Sequence, residues 1–88
     1  MPGYVPINCE FHDVLEATAV GGRAAVIRYL DEEPSLRIVE ARIRDLYARN
    51  AMEYMQLDDG SAIRLDRVVS VNGVERSSFD DACALPDA

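Results

Sequence analysis

The sequence predicts a small α+β protein, mainly β, in which one N-terminal helix covers a five-stranded barrel. Three observations predict it. The 88 residues leave room for one modest core, because a chain this short buries only about 60% of its unfolded surface. A helical apolar period opens the chain and stops at Gly21-Gly22. After that stop the period turns extended, and short β-branched and aromatic runs separated by turn residues continue to Asn72-Gly73.

The helix comes first. Asn8 is a good N-cap, since its side-chain oxygen can accept from the free N–H groups of the next turn, and Pro6 upstream keeps the approach extended. The helix is expected over about 9–20, with Phe11, Val14, Leu15 and Thr18 at helical spacing and Gly21-Gly22 supplying the left-handed residue that ends it. Successive side chains step by about 100°, so Glu10, Asp13 and Glu16 share a sector about 120° wide, roughly opposite the apolar stripe.

The strands follow in order. Arg23 to Leu30 is β-branched and aromatic, and Asp31 to Pro34 is a turn that Pro34 keeps from further pairing. Ser35 to Ile43 alternates, with Arg37, Val39, Ala41 and Ile43 on one side and Leu36, Ile38, Glu40 and Arg42 on the other. Neither side is cleanly polar, which suits a strand serving two sheets of a bent barrel. Arg44 to Ala51 reads as an irregular turn, Met52 to Leu57 as a strand, and Asp58 to Gly60 as a tight hairpin whose glycine takes the positive φ. Ala62 to Leu65 and Val68 to Val71 complete five strands, and Asn72-Gly73 ends the series. From Val74 onward no period is sustained, so residues 1–73 are expected as the domain and 74–88 as a flexible acidic tail. One helix and five short strands suit a closed or nearly closed barrel of the Sm or SH3 kind. A five-stranded OB barrel competes, though it usually takes a longer chain.

Composition narrows the function. Hydrophobic residues at 49% and charged residues at 28% describe a globular chain. No apolar run approaches the roughly 18 residues of a bilayer span, and the N-terminus lacks a signal series, so a cytoplasmic location is expected. Net charge is −7, and all nine basic residues are arginine. Residues 8–20 carry three acids and no arginine, 21–50 six arginines against five acids, and 51–88 three against eight. Binding to nucleic acid regardless of sequence depends on basic groups displacing counterions, so this balance speaks against DNA or RNA and for a basic protein surface.

Catalytic chemistry finds no constellation. Cys9 and Cys83 lie at opposite ends of the chain, and a structural disulfide is not expected. A thiolate role for Cys9, or a Cys9–His12 metal pair, would need a further ligand or activating partner. His12 reads as a solvated helix residue, and the acidic pairs Glu32-Glu33 and Asp58-Asp59 fall in turns where local hydrogen bonding is their ordinary use. The expectation is therefore a non-enzymatic protein without cofactor or metal.

The acidic helix face is the leading candidate. Carboxylates in a first turn complement the helix dipole, worth about 0.3–1 kcal/mol each, which accounts for Glu10 and Asp13 but poorly for Glu16, further along. An external cationic surface would relieve the mutual repulsion. The rival candidate is Tyr29, Tyr47 and Tyr54 among Arg28, Arg42, Arg44 and Arg49, as base-stacking barrels display them. Core packing with a wet phenol tip is the commoner use of tyrosine, and the near balance of charge ranks RNA below protein.

Tyr4 to Glu16 (YVPINCEFHDVLE), Asp45 to Tyr54 (DLYARNAMEY) and Ile63 to Val71 (IRLDRVVSV), in this order and spacing, resemble the Rof-type Rho-binding antiterminators of Gram-negative bacteria. The resemblance runs from about Tyr4 to Gly73. It implies an N-terminal helix on an Sm-like barrel that binds the terminator Rho, a hexameric RNA helicase, and blocks its primary RNA site. It also implies inhibition of Rho-dependent transcription termination. Charge and hydropathy add the expectation of no direct nucleic-acid or membrane contact, and a monomer is expected when free. Asn8, Asp13 and Glu16 match the family's opening motif. Glu10 replaces an aspartate, and His12 stands where a tyrosine is usual. Arg49 matches the basic residue of the turn before the Glu53-Tyr54 strand, while Asn50 and Ala51 depart from the usual polar pair. The partner-binding set is thus Asn8, Glu10, His12, Asp13, Glu16 and Arg49.

Overall fold

A computed structural model describes residues 7–79. Helix α1, Cys9–Gly21, is followed by strands β1 (Ala24–Leu30), β2 (Leu36–Arg49), β3 (Met52–Leu57), β4 (Ala62–Arg64), β5 (Val68–Val71) and β6 (Val74–Glu75), with 3₁₀ turns at Leu65–Arg67 and Arg76–Ser78. The class is α+β, mainly β, as expected. The six strands form one antiparallel sheet in the order β4-β3-β2-β1-β5-β6.

The helix begins and ends where its local chemistry dictates. The Asn8 side chain accepts from the backbone N–H of Glu10 at 2.6 Å and of Phe11 at 3.3 Å, and Gly22 closes the helix at φ 70°, a left-handed conformation that glycine adopts without a Cβ penalty. Phe11 and Leu15 are fully buried and join Ile27, Met55, Leu57, Leu65, Val68 and Val71 in the core. Burying an apolar side chain of this size stabilises by about 1.5–3 kcal/mol, so two such anchors fix which face of α1 looks inward.

The long strand β2 organises the sheet. Its first half pairs with β1, from Ala24↔Arg42 to Leu30↔Leu36, and its second half with β3, from Ile43↔Leu57 to Arg49↔Met52. A register shift between Ile43 and Asp45 marks the crossing. One strand does serve two sheet segments, but the irregular turn expected at Arg44–Ala51 is strand as far as Arg49. The bulge at Arg44 breaks the alternation and so disguises the strand in the sequence.

Further expectations are corrected. The described residues form six strands rather than five, and the sheet is not closed into a barrel: β4 and β6 are its two edges. Asn72-Gly73 does not end the series but turns it, with φ 52° and 81°, so β6 pairs Val71↔Val74 and Ser70↔Glu75. Residues 74–79, expected in the tail, thus belong to the fold, and Phe79 packs on Phe11 with ring centroids 5.6 Å apart. Finally, Cys9 is disulfide-bonded, which contradicts the reading of unpaired thiols and removes any thiolate or metal role while the bond is intact. Such a bond requires two Cβ atoms to meet in space, which separation along the chain does not exclude. Pro6, Cys83 and the rest of the tail lie outside the described residues. Among the described residues, no helix is long and apolar enough to cross a membrane.

Candidate functional site

The candidate site is the outer face of α1. Glu10, Asp13 and Glu16 are all exposed, because the core anchors Phe11 and Leu15 turn the opposite sector to solvent. Among the described residues neither Glu10 nor Asp13 has an ion-pair partner, while Glu16 lies 3.8 Å from Nδ1 of His12 one turn earlier. The helix has no basic residue in its last turn to offset them.

His12 is not the solvated residue expected. Its side chain is 25% exposed, and its Nε2 lies 3.7 Å from a carboxylate oxygen of Glu53 on β3. The imidazole thus stands between two carboxylates, one on the helix and one on the sheet. A cavity of about 180 Å³ lies beside it, bounded by Glu16, Leu46, Tyr47 and Leu65 among others. Glu53 is the residue that sequence reasoning missed. The signal was its parity: in β3 it shares a side with buried Met55 and Leu57, so a carboxylate at that position points toward the helix side rather than away.

Asn8 belongs to the site only indirectly. It is 6% exposed, and its amide oxygen is engaged by the first-turn N–H groups, so it holds the acidic face in place from beneath. Arg49 ends β2 and is exposed. Its register partner is Met52, whereas Ala48 is opposite Glu53. Strand alternation therefore sends Arg49 to the other side of the hairpin from Glu53 and His12. The turn itself is strained: Asn50 and Ala51 have φ 55° and 65°, and left-handed backbone costs a residue with a Cβ roughly 1 kcal/mol.

For metal chemistry, His12, Asp13 and Glu16 place one ligand atom each within 4.8 Å of one another. Two of them sit four residues apart on one helix, a spacing that brings side chains together without any ion. What the arrangement can do chemically is electrostatic: a rigid helical ridge of carboxylates, capped at one end and bolted to the core, presents negative charge at fixed spacing.

No family model matches the chain, and neither a curated protein nor a solved structure is significantly similar to it.

Proposed function

We propose that this protein binds the transcription terminator Rho at its primary RNA-binding site and so inhibits Rho-dependent termination. The observation that carries this reading is the outer face of α1, where, among the described residues, Glu10 and Asp13 have no ion-pair partner and Glu16 has only an imidazole. Such a ridge suits a basic cleft shaped for phosphates, because it supplies anionic charge without being nucleic acid. The partner-binding set is Glu10, His12, Asp13 and Glu16, with Arg49 as a secondary contact from the β2–β3 turn and Asn8 supporting the ridge. No catalytic step or cofactor enters.

The fold supports the Sm-like part of the reading through β2, a single strand bent at its bulge and shared by two sheet segments, with a helix packed against it. A cytoplasmic setting and a free monomer complete the proposal. Because disulfides are rare in the reducing cytosol, the Cys9 bond makes the redox state part of the test.

The test is a competition between the protein and a labelled pyrimidine-rich RNA for Rho, with and without reductant. RNA release is expected, weakening with added salt as exposed charge pairs are screened, and lost when Glu10, Asp13 and Glu16 are together replaced by glutamine in a correctly folded chain. RNA that stays on Rho at saturating protein refutes the inhibitor. RNA that moves onto the protein itself establishes the alternative, a direct RNA-binding module, which Tyr47 and Tyr54, stacked with centroids 5.4 Å apart, favour.

A further inference from the structure

A second cavity lies away from α1. It is a cleft of about 620 Å³ where the β1–β2 turn faces β4 and the 3₁₀ turn that follows it, and Tyr29, Tyr54, Arg37, Arg64 and Arg67 are among its lining residues. Its size falls within the range of small-ligand sites, about 300–1,000 Å³.

Its guanidinium groups are held in place before any ligand arrives. Arg64 donates twice to Asp66, from Nε at 2.9 Å and Nη2 at 2.7 Å. Arg37 Nε donates to Asp31 at 2.8 Å. Arg67 differs: it donates to the backbone carbonyl of Asp31 at 2.7 Å, so it spans the cleft while no carboxylate among the described residues neutralises it by an ion pair. A guanidinium has five N–H donors, and the bond to Asp31 occupies one donor group of Arg67. The cleft therefore offers one positioned guanidinium that no ion pair among the described residues engages.

The remaining lining completes a pattern. The Tyr54 ring is fixed by its stack on Tyr47, with planes 17° apart, and it lines the cleft together with Tyr29. Phenol rings favour a flat π-system. Glu32 and Glu33 also line the cleft, and carboxylates there can accept hydrogen bonds from sugar hydroxyls while repelling any additional phosphate.

We propose that this cleft binds a free nucleoside monophosphate, with the base against the tyrosine rings, the phosphate on Arg67 and the ribose hydroxyls toward the Glu32-Glu33 turn. The site stands independently of the Rho reading. It differs from a strand-binding groove because its carboxylates leave room for one phosphate rather than a chain of them.

The test is an amide and side-chain NMR titration of the full chain with AMP, UMP, adenosine, inorganic phosphate, ATP and a short oligouridylate. Millimolar or tighter binding of AMP or UMP is expected, with shifts centred on Tyr29, Tyr54, Arg64 and Arg67 and none on Glu10 or Asp13. Adenosine and phosphate alone should each bind about tenfold or more weakly, the factor for one charge-assisted hydrogen bond. Arg67→Met should lower AMP affinity by the same factor, and Asp58→Asn, at an exposed position outside the cleft, should leave it unchanged. Absence of shifts with both monophosphates at millimolar concentration in the wild-type chain overturns the proposal whatever the variants do. So does tighter binding of ATP or of the oligouridylate than of either monophosphate.

Discussion

The acidic face of α1 and the arginine cleft are both charged surfaces, yet they treat charge in opposite ways. On the helix, Glu10 and Asp13 face solvent with no ion-pair partner among the described residues, and the ridge is stiff only because what lies beneath it is packed and capped. In the cleft the carboxylates of Asp66 and Asp31 are consumed, the first by Arg64 and the second by Arg37 and two backbone N–H groups. A charge consumed inside the molecule contributes to the fold, and one left over is available to something outside. The ridge leaves several over, and the cleft leaves Arg67 together with the carboxylates of Glu32 and Glu33.

The largest effect comes from removing what makes the ridge rigid. Phe11 is fully buried between the sheet and the Phe79 ring. Phe11→Ala is expected to cost about 3–5 kcal/mol by lost transfer energy and a residual cavity. Urea denaturation followed by circular dichroism measures it. A cost under about 1 kcal/mol would mean that α1 is not seated as described and that the acidic face has no fixed geometry.

The contrast itself is tested by making one chemical change in both regions. Asp66 is 8% exposed and holds Arg64 in a two-bond fork. Asp66→Asn forces an amide N–H₂ against a guanidinium and should cost about 2 kcal/mol, typical for hydrogen bonds to charged groups. Asp13→Asn on the exposed ridge should stay within about 0.5 kcal/mol of wild type. Paired denaturation curves decide it: equal costs would erase the distinction between the two surfaces.

How much of this could be read from the residues differs by region. The helix was legible end to end, because Asn8, the apolar spacing and Gly22 act over a few residues. Its outward acids follow from the same geometry. Strands β1, β3 and β5 were legible for the same reason. The second half of β2 was not, because the Arg44 bulge shifts the alternation by one residue and leaves Asp45, Tyr47 and Arg49 looking like a turn. Asn72-Gly73 is a hairpin signal as readily as a stop, and only the pairing of Val74 with Val71 decides between them. The cleft was invisible, since Arg37, Arg64 and Arg67 come from three separate elements and converge only once β2 has bent. His12 and Glu53 are 41 positions apart in sequence, and nothing local announces that they meet. The Cys9 disulfide belongs to this class as well.

The smallest expected effect lies in the cleft's turn and depends on pH. Asp31 accepts from the backbone N–H of Ser35 at 2.8 Å and of Glu33 at 2.9 Å, and from Arg37 Nε at 2.8 Å. These bonds favour the carboxylate, chiefly the backbone donation from Ser35 and then the Arg37 guanidinium, and hold its pKa at about 2 against an ordinary 3.8. A folded-state value below the unfolded one means stability that is fully present above about pH 4 and lost as pH falls toward 2. Because Asp31 lies near the surface, solvent and salt screen the contribution, so the effect should be modest. The comparison is the acid limb of the stability curve for wild type and Asp31→Asn, measured between those pH values at low salt. The wild type should lose more stability than the variant across that window. Parallel curves would show that the turn does not depend on the carboxylate's charge, and the claim that the carboxylates of Asp31 and Asp66 are consumed in folding would fail at the residue where it is made most explicitly.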